Sequence, residues 1–275
     1  MEAKDNTASA VWFNGDHSYR SWVQRAARSV LRNGALPKSV AFIMDGNRRF
    51  ARKSHLDSVV EGHTLGFDTL TKVLNWCRDF DIEEATVYAF SIENFKRSSE
   101  EVEGLMELAR NKFRRLMDEK EEILSRGIRF RFFGDLTLLP DDVRALVAEV
   151  ESVSKDCDKA RLNVCLAYTS QDEMTRAVQK LAKRVEDGEL EPGDIDETVF
   201  NEALDSAGSR YPDLLVRTSG ECRLSDFLLF QANESCLCFD DVLWPEFTYW
   251  HLCYAILHYQ INSRWIQALK HEVES

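Results

Sequence analysis

The stretch Val40-Ala41-Phe42-Ile43-Met44-Asp45-Gly46-Asn47-Arg48-Arg49-Phe50-Ala51-Arg52-Lys53 sets five apolar residues, with no polar alternation, directly before a carboxylate, a glycine and a cationic segment. A continuous apolar run of this kind suits a strand buried on both faces. The change at Asp45 marks where that strand leaves the core and a helix begins. Similar runs recur at residues 85–90, 128–133, 162–168 and 214–216, with a weaker one at 236–239. Between them lie helical patterns: a stripe of Leu65, Leu70, Val73, Leu74 and Cys77, a long stripe over 102–124, then Val143, Leu146, Val147 and Val150, and then Met174, Ala177, Val178, Leu181 and Val185. Residues 247–269 read as a last, aromatic-rich helix. Strands alternating with helices imply right-handed crossovers, and so an α/β fold with a mainly parallel six-stranded sheet flanked by helices.

At 275 residues the chain has room for one large domain or two small ones. It shows no internal repeat, low-complexity tract or long linker, and the polar stretch 187–196 is too short to be anything but a surface loop. The reading is a single domain over 35–275 preceded by an arm over 1–34. With 44% hydrophobic and 30% charged residues, a disordered or fibrous chain is excluded. No apolar run approaches the ~18 residues of a spanning helix, and the first thirty residues lack a signal core, so neither membrane insertion nor cleaved secretion is expected. Seven cysteines, at 77, 157, 165, 222, 236, 238 and 253, form no CxxC pair and read as reduced, mostly buried thiols.

The net charge of −12 argues against nucleic-acid binding. It conceals an asymmetry: residues 1–53 carry ten Lys/Arg against four Asp/Glu, leaving −18 for the rest. Part of the basic excess lies in residues 18–32, where Tyr19, Trp22, Val23, Ala26, Ala27 and Val30 recur at helical spacing and Arg20, Arg25, Arg28 and Arg32 take other faces. Such a helix suits either an anionic membrane surface or packing on the body of the protein.

In open α/β sheets ligands bind beyond the carboxyl ends of the strands. At the first such end, Asp45, Gly46, Asn47, Arg48 and Arg49 offer a carboxylate for Mg2+, backbone N–H groups and two phosphate-gripping arginines. They read equally well as a helix cap with a solvated cationic face. There is no GxxxxGK[ST] and no GxGxxG after this strand, which excludes a P-loop and counts against a dinucleotide fold. At the second end stand Ser91, Asn94 and Arg97, followed by Ser98 and Glu101, which together read as a capping box. At the fifth, Arg217, Gly220, Arg223 and Ser225 form a further anion cradle. Three such clusters at successive strand ends predict a site for two multiply charged anions.

The segments MDGNRRFARK, VYAFSIENFKRSSEEVEGLM, RTSGECRLSDFLLFQ and DVLWPEF, in this order and spacing, resemble the cis-prenyltransferase (Z-isoprenyl diphosphate synthase, undecaprenyl diphosphate synthase-like) family over roughly residues 35–265. NRRF, SIENFKRS and NVCLAYTS are most similar to the eukaryotic dehydrodolichyl diphosphate synthase branch. The resemblance implies a prenyl transferase that extends an allylic diphosphate, commonly farnesyl diphosphate, by repeated condensation with isopentenyl diphosphate. It implies that Asp45 holds Mg2+, that Gly46, Asn47, Arg48, Arg49 and His63 surround the allylic diphosphate, that Asn94 and Arg97 lie near the reacting carbons with Ser91 a further substrate-binding group, and that Arg217, Arg223 and Ser225 bind isopentenyl diphosphate. It further implies a tunnel for the growing chain walled by the helices after the first two strands.

Two departures accompany it. Cys236 stands where bacterial homomeric members carry a metal-site Glu, and the tail NSRWIQALKHEVES lacks their Arg-x-Gly. The second departure implies pairing with a non-catalytic subunit of the Nogo-B-receptor type, with residues 244–265 and the strand at Cys236 at the interface, on the cytosolic face of the endoplasmic reticulum as a peripheral protein. The alternatives are a homomeric short- or medium-chain Z-prenyl diphosphate synthase, or a non-catalytic scaffolding subunit. Retention of Asp45, Asn94, Arg217 and Arg223 speaks against the last.

Overall fold

The computed structural model describes residues 21–273, with side chains to residue 263. Tyr19 and Arg20 of the arm, and the tail side chains including Trp265, lie outside the described residues. In chain order the elements are α1 (Trp22–Leu31), β1 (Ser39–Ile43), α2 (Asn47–Lys53), α3 (Val59–Asp79), β2 (Glu84–Ser91), α4 (Ser99–Asp118), α5 (Lys120–Arg126), β3 (Ile128–Phe133), α6 (Asp141–Ser154), β4 (Ala160–Tyr168), α7 (Ser170–Glu186), α8 (Glu197–Ala203), β5 (Leu214–Arg217), β6 (Cys236–Phe239) and α9 (Tyr249–Val273).

The six strands form one sheet in the order β3-β4-β2-β1-β5-β6, and every neighbouring pair is parallel. All five residues of β1 are buried, with Val40 and Phe42 in the core on one face and Ala41 and Ile43 in the core on the other. That two-sided burial is why the run from Val40 to Met44 has no polar residue. The first face packs on α3, α4, α6 and α9; the other is covered by Phe227, Leu228 and Ala232 of the loop between β5 and β6, and α7 and α8 pack on each other in a separate cluster. From β1 the chain lays down β2, crosses to the edge strand β3, inserts β4 between them, and then returns to add β5 on the opposite side of β1. The crevice between the carboxyl ends of β1 and β5, where Ile43 is in register with Arg217, is therefore the switch point at which α/β sheets bind ligands.

Several elements differ from the pattern reading. The long second helix breaks at Glu119, whose N–H closes α4 on Arg115 and Leu116 while its carbonyl opens α5. Ser98 caps α4 by accepting from the Glu101 N–H at 3.3 Å, but the Glu101 side chain does not complete a box; it turns to two arginines instead. Leu65 and Val178 lie on the solvent side of their helices. In α1, Leu31 packs inward while Trp22, Val23 and Val30 face out, so most of the predicted apolar stripe is not what seats the helix. Its seat is made by Arg28 Nε donating to the Asp79 carbonyl at 2.7 Å and by Gln260 reaching the Leu31 carbonyl at 2.6 Å. Six of the cysteines are buried and Cys222 is exposed, all as free thiols.

Candidate active site

Asp45 leaves β1 at the switch point with its backbone fixed. Its carbonyl accepts from the Trp244 N–H at 3.0 Å and the Thr218 hydroxyl at 2.7 Å. Its Oδ1 accepts from the Gly46 N–H at 2.7 Å and its Oδ2 from Arg217 Nη2 at 3.1 Å. Gly46 turns the chain into α2 at φ +111°, and a Cβ there would stand 3.0 Å from the Leu243 backbone, so only glycine fits. Arg49 donates to the Ser219 hydroxyl and lies 3.7 Å from Asp45 and 3.6 Å from Glu221. Arg217, 3% exposed, also donates to Ser225 Oγ at 2.6 Å and to the Arg223 carbonyl, and its Nε is buried with no protein partner. Arg223 projects outward and pairs with Glu221.

At the end of β2 a capping box does occur, at a different pair from the one expected. Ser91 Oγ accepts from the Glu93 N–H at 3.2 Å and Asn94 Oδ1 accepts from the Ser91 N–H at 3.0 Å, closing a short 3₁₀ turn over Ile92–Lys96. Arg97 donates to Glu101 at 2.7 Å, and Arg48 approaches the same carboxylate at 3.4 Å. Beside them His63 sits one turn into α3. Burial, helped by the charge of Arg97 and of Arg48 and opposed by Glu101, pulls its pKa down to about 4. The ring is neutral at physiological pH, and its Nε2 is buried without a protein partner. Asn47 donates to the Met44 carbonyl at 3.3 Å while its Oδ1 packs over Gly66, where a Cβ would stand only 2.2 Å away.

All twelve of the predicted site residues, Asp45, Gly46, Asn47, Arg48, Arg49, His63, Ser91, Asn94, Arg97, Arg217, Arg223 and Ser225, line one cavity of about 770 Å³. Its polar mouth continues into an apolar wing between the sheet and helices α3 and α4, walled by Phe67, Leu70, Leu105, Met106, Phe113 and Leu166. Sequence reasoning missed Arg52, Tyr88 and Lys112, which also line it. Lys112 is 5% exposed, 3.6 Å from Asp68 and 4.2 Å from the centre of the Phe67 ring, and burial lowers its pKa against the pull of Asp68. A lysine on an amphipathic helix ordinarily reads as solvated, so the pattern held no signal for it.

Among the described residues no three His, Cys, Asp or Glu side chains gather into a protein-only metal site. The Asp45 carboxylate retains acceptor capacity beyond its two bonds. It fits a hard cation that takes one carboxylate and fills its shell with water and phosphate oxygens, as Mg2+ does. Cys236 is buried at the start of β6 opposite Leu214, the far end of the strand from Arg217, and it does not line the cavity. In this chain that position is therefore core rather than a vacated metal ligand.

The family model described as "Putative undecaprenyl diphosphate synthase" matches residues 43–267. The dehydrodolichyl diphosphate synthase complex subunit of Homo sapiens is 51% identical over 244 residues, covering 89% of this chain and 73% of that protein. The tritrans,polycis-undecaprenyl-diphosphate synthase (geranylgeranyl-diphosphate specific) of Methanocaldococcus jannaschii is 43% identical over 231 residues, 83% of this chain and 82% of that one. The crystal structure of lavandulyl diphosphate synthase from Lavandula x intermedia, in complex with dimethylallyl diphosphate, superposes with a TM-score of 0.77 at 32% identity over 82% of this chain and 95% of that chain.

Proposed function

Because this chain belongs to the cis-prenyltransferase family, we propose that it is the catalytic subunit of a synthase that condenses isopentenyl diphosphate repeatedly onto farnesyl diphosphate, giving dehydrodolichyl diphosphate for dolichol synthesis and protein glycosylation. One observation carries this reading: a single cavity has an arginine-rich mouth suited to two diphosphates and an apolar wing suited to a hydrocarbon. Arg48, Arg49, the neutral His63 and the N–H groups after Gly46 bind the allylic diphosphate. Arg217, Arg223 and Ser225 bind that of the isopentenyl substrate. Asp45 would hold Mg2+, which when bound offsets negative charge on the departing diphosphate.

The two substrates are thereby held for attack, which removes much of the entropic barrier. The terminal alkene carbon of isopentenyl diphosphate bonds to the allylic carbon, the allylic C–O bond breaks, and a proton leaves the new adduct. The arginines stabilise the charge that accumulates on the leaving group. The departing diphosphate is the proton acceptor nearest to hand, and Asn94 and Arg97 line the cavity beside it.

A partner subunit of the Nogo-B-receptor type is supported by α9, whose outer face presents Trp250, Tyr254, Leu257 and Ile261 as one exposed stripe next to the β6 edge with its exposed Leu237. Trp244, by contrast, is core: it is 1% exposed and its indole donates to the Gly66 carbonyl at 2.7 Å. No helix among the described residues is long and apolar enough to cross a membrane. Peripheral attachment at the cytosolic face of the endoplasmic reticulum is supported by the outward Trp22, Val23 and Val30 of α1 beside Arg25.

The test is incorporation of labelled isopentenyl diphosphate into lipid, with farnesyl diphosphate and Mg2+, by the chain alone and with such a partner, the products being sized. Long products only with the partner are expected. Full activity alone would replace the heteromeric reading by a homomeric one, and no incorporation in either case would overturn the function.

A further inference from the structure

The loop between β5 and β6 contains an unusual concentration of left-handed backbone. Ser225, Asp226 and Leu228 have φ of +51°, +58° and +48°, and none is glycine. Such residues persist only where their surroundings over-determine them, and they cluster at functional sites. Asp226 is held from α7: its carbonyl accepts from the Ser170 N–H at 2.8 Å and its Oδ1 from the Gln171 N–H at 3.0 Å. Leu229 is held by Ser170 Oγ at 3.0 Å. The Ser225 carbonyl is held from a different element, by a side chain of β2.

That side chain is Tyr88. A bulge in β2, where Ala89 has no partner on β4, interrupts the alternation of the strand next to Tyr88, and bulges beside active sites re-aim side chains in this way. The phenol ring stacks on the fully buried Phe227 at 4.6 Å and 12°. Its hydroxyl lies 3.1 Å from the Tyr168 carbonyl and 3.4 Å from the Ser225 carbonyl, sharing its proton between them. Burial raises its pKa, so the hydroxyl stays a donor. Ser225 Oγ in turn accepts from Arg217, whose other Nη reaches Asp45.

We propose that Tyr88 is a positioning residue: through the Ser225 backbone it fixes where Ser225 Oγ and the Arg217 guanidinium stand, and so sets the affinity of the second diphosphate subsite without touching the reacting atoms. This rests on the reading that the Arg217, Arg223 and Ser225 cradle takes isopentenyl diphosphate. The discriminating variant is Tyr88→Phe, which keeps the ring on Phe227 and removes only the hydroxyl. In steady-state kinetics of the chain with whatever partner it requires, KM for isopentenyl diphosphate should rise roughly 3- to 10-fold, the range expected for one net hydrogen bond. The kcat and the allylic KM should stay within about two-fold of wild type.

A purely structural role would lower the melting temperature and leave both KM values unmoved. That result, an equal rise in both KM values, or a fall in kcat alone would overturn the proposal. Arg223→Gln, measured in parallel, separates the two layers of inference. If it raises KM for isopentenyl diphosphate and Tyr88→Phe does not, the positioning role alone has failed. If neither variant raises it, the assignment of the cradle has failed and the positioning role with it.

Discussion

His63 gives the structure a pH signature that does not depend on turnover. Its folded pKa of about 4 lies below its ordinary 6.5, because the imidazole is largely withdrawn from solvent, with Nε2 fully buried, and stands beside Arg97 and Arg48. The unfolded chain therefore binds a proton more readily than the folded one between these values. The stability associated with the neutral ring is fully present above pH 6.5 and is lost as pH falls toward 4. Working the two-state linkage through those pKa values gives a loss of about 2 kcal/mol between pH 7 and pH 5 from this residue alone. Urea denaturation of wild type and His63→Gln at half-unit steps across that range isolates the effect, since every other titrating group is common to both. The stability difference between the two proteins should shift by about 2 kcal/mol in favour of the variant at the acid end. Parallel curves, differing by less than about 0.5 kcal/mol over the range, would refute the placement of a buried, neutral His63 among these arginines.

Three further perturbations follow from the geometry. Gly66→Ala puts a methyl 2.2 Å from Asn47 Oδ1 and 3.0 Å from Trp244; it should cost about 1–3 kcal/mol in chemical denaturation and raise the allylic KM, and an unchanged protein would mean that α3 yields there. Asp45→Asn keeps an acceptor for Gly46 and Arg217 but removes the charge; initial rates should fall more than about 100-fold at unaltered melting temperature, and near-normal rates at saturating Mg2+ would remove Asp45 from the metal role. Tyr254→Glu combined with Leu257→Glu, both on the exposed face of α9, should leave the chain folded by circular dichroism and abolish co-purification with the partner subunit proposed above, whereas retained co-purification would move the interface elsewhere.

The strands could be read because burial on both faces keeps the middles of β1 and β5 apolar, with the polar Ser39 and Arg217 only at their ends, and such runs leave little ambiguity. The strand-end motifs could be read because chemistry there needs particular side chains at fixed offsets from a sheet edge. What could not be read was set by contacts distant in sequence. Glu101 looked like half of a capping box because the spacing from Ser98 is right; the nearby Arg97 and Arg48 capture its carboxylate in three dimensions. Tyr88 looked like core because its hydroxyl finds its acceptors far along the chain, at the Tyr168 carbonyl of β4 and the Ser225 carbonyl 137 residues onward. Helix α4 has no glycine or proline at its break, so the periodicity runs through Glu119 unmarked. The outward face of α1 was hidden for a related reason: the helix is seated by Leu31, by hydrogen bonds to backbone carbonyls and by the Arg32–Asp81 ion pair, and an amphipathic stripe alone cannot say which side meets the body.

The ion pairs at the mouth of the cavity explain how a cluster of arginines is kept in place before any substrate arrives. Arg48 and Arg97 share Glu101, Arg49 lies between Asp45 and Glu221, Arg217 reaches Asp45, and Arg223 takes Glu221. Five guanidiniums are thus arranged around three carboxylates. Without those carboxylates the cations would repel one another and the cradle would open; with one carboxylate apiece they would have no net attraction for a diphosphate. The intermediate ratio leaves an excess of positive charge that draws in anions while the pairs hold each planar fork near the orientation it needs. A diphosphate oxygen has the same acceptor chemistry as the carboxylate it displaces, so binding exchanges one charge-assisted partner for another rather than assembling the site anew. Asp45 and Arg217 stand at the ends of neighbouring strands, joined through the register of Ile43 with Arg217, so their pair is the part of the mouth that the sheet itself fixes.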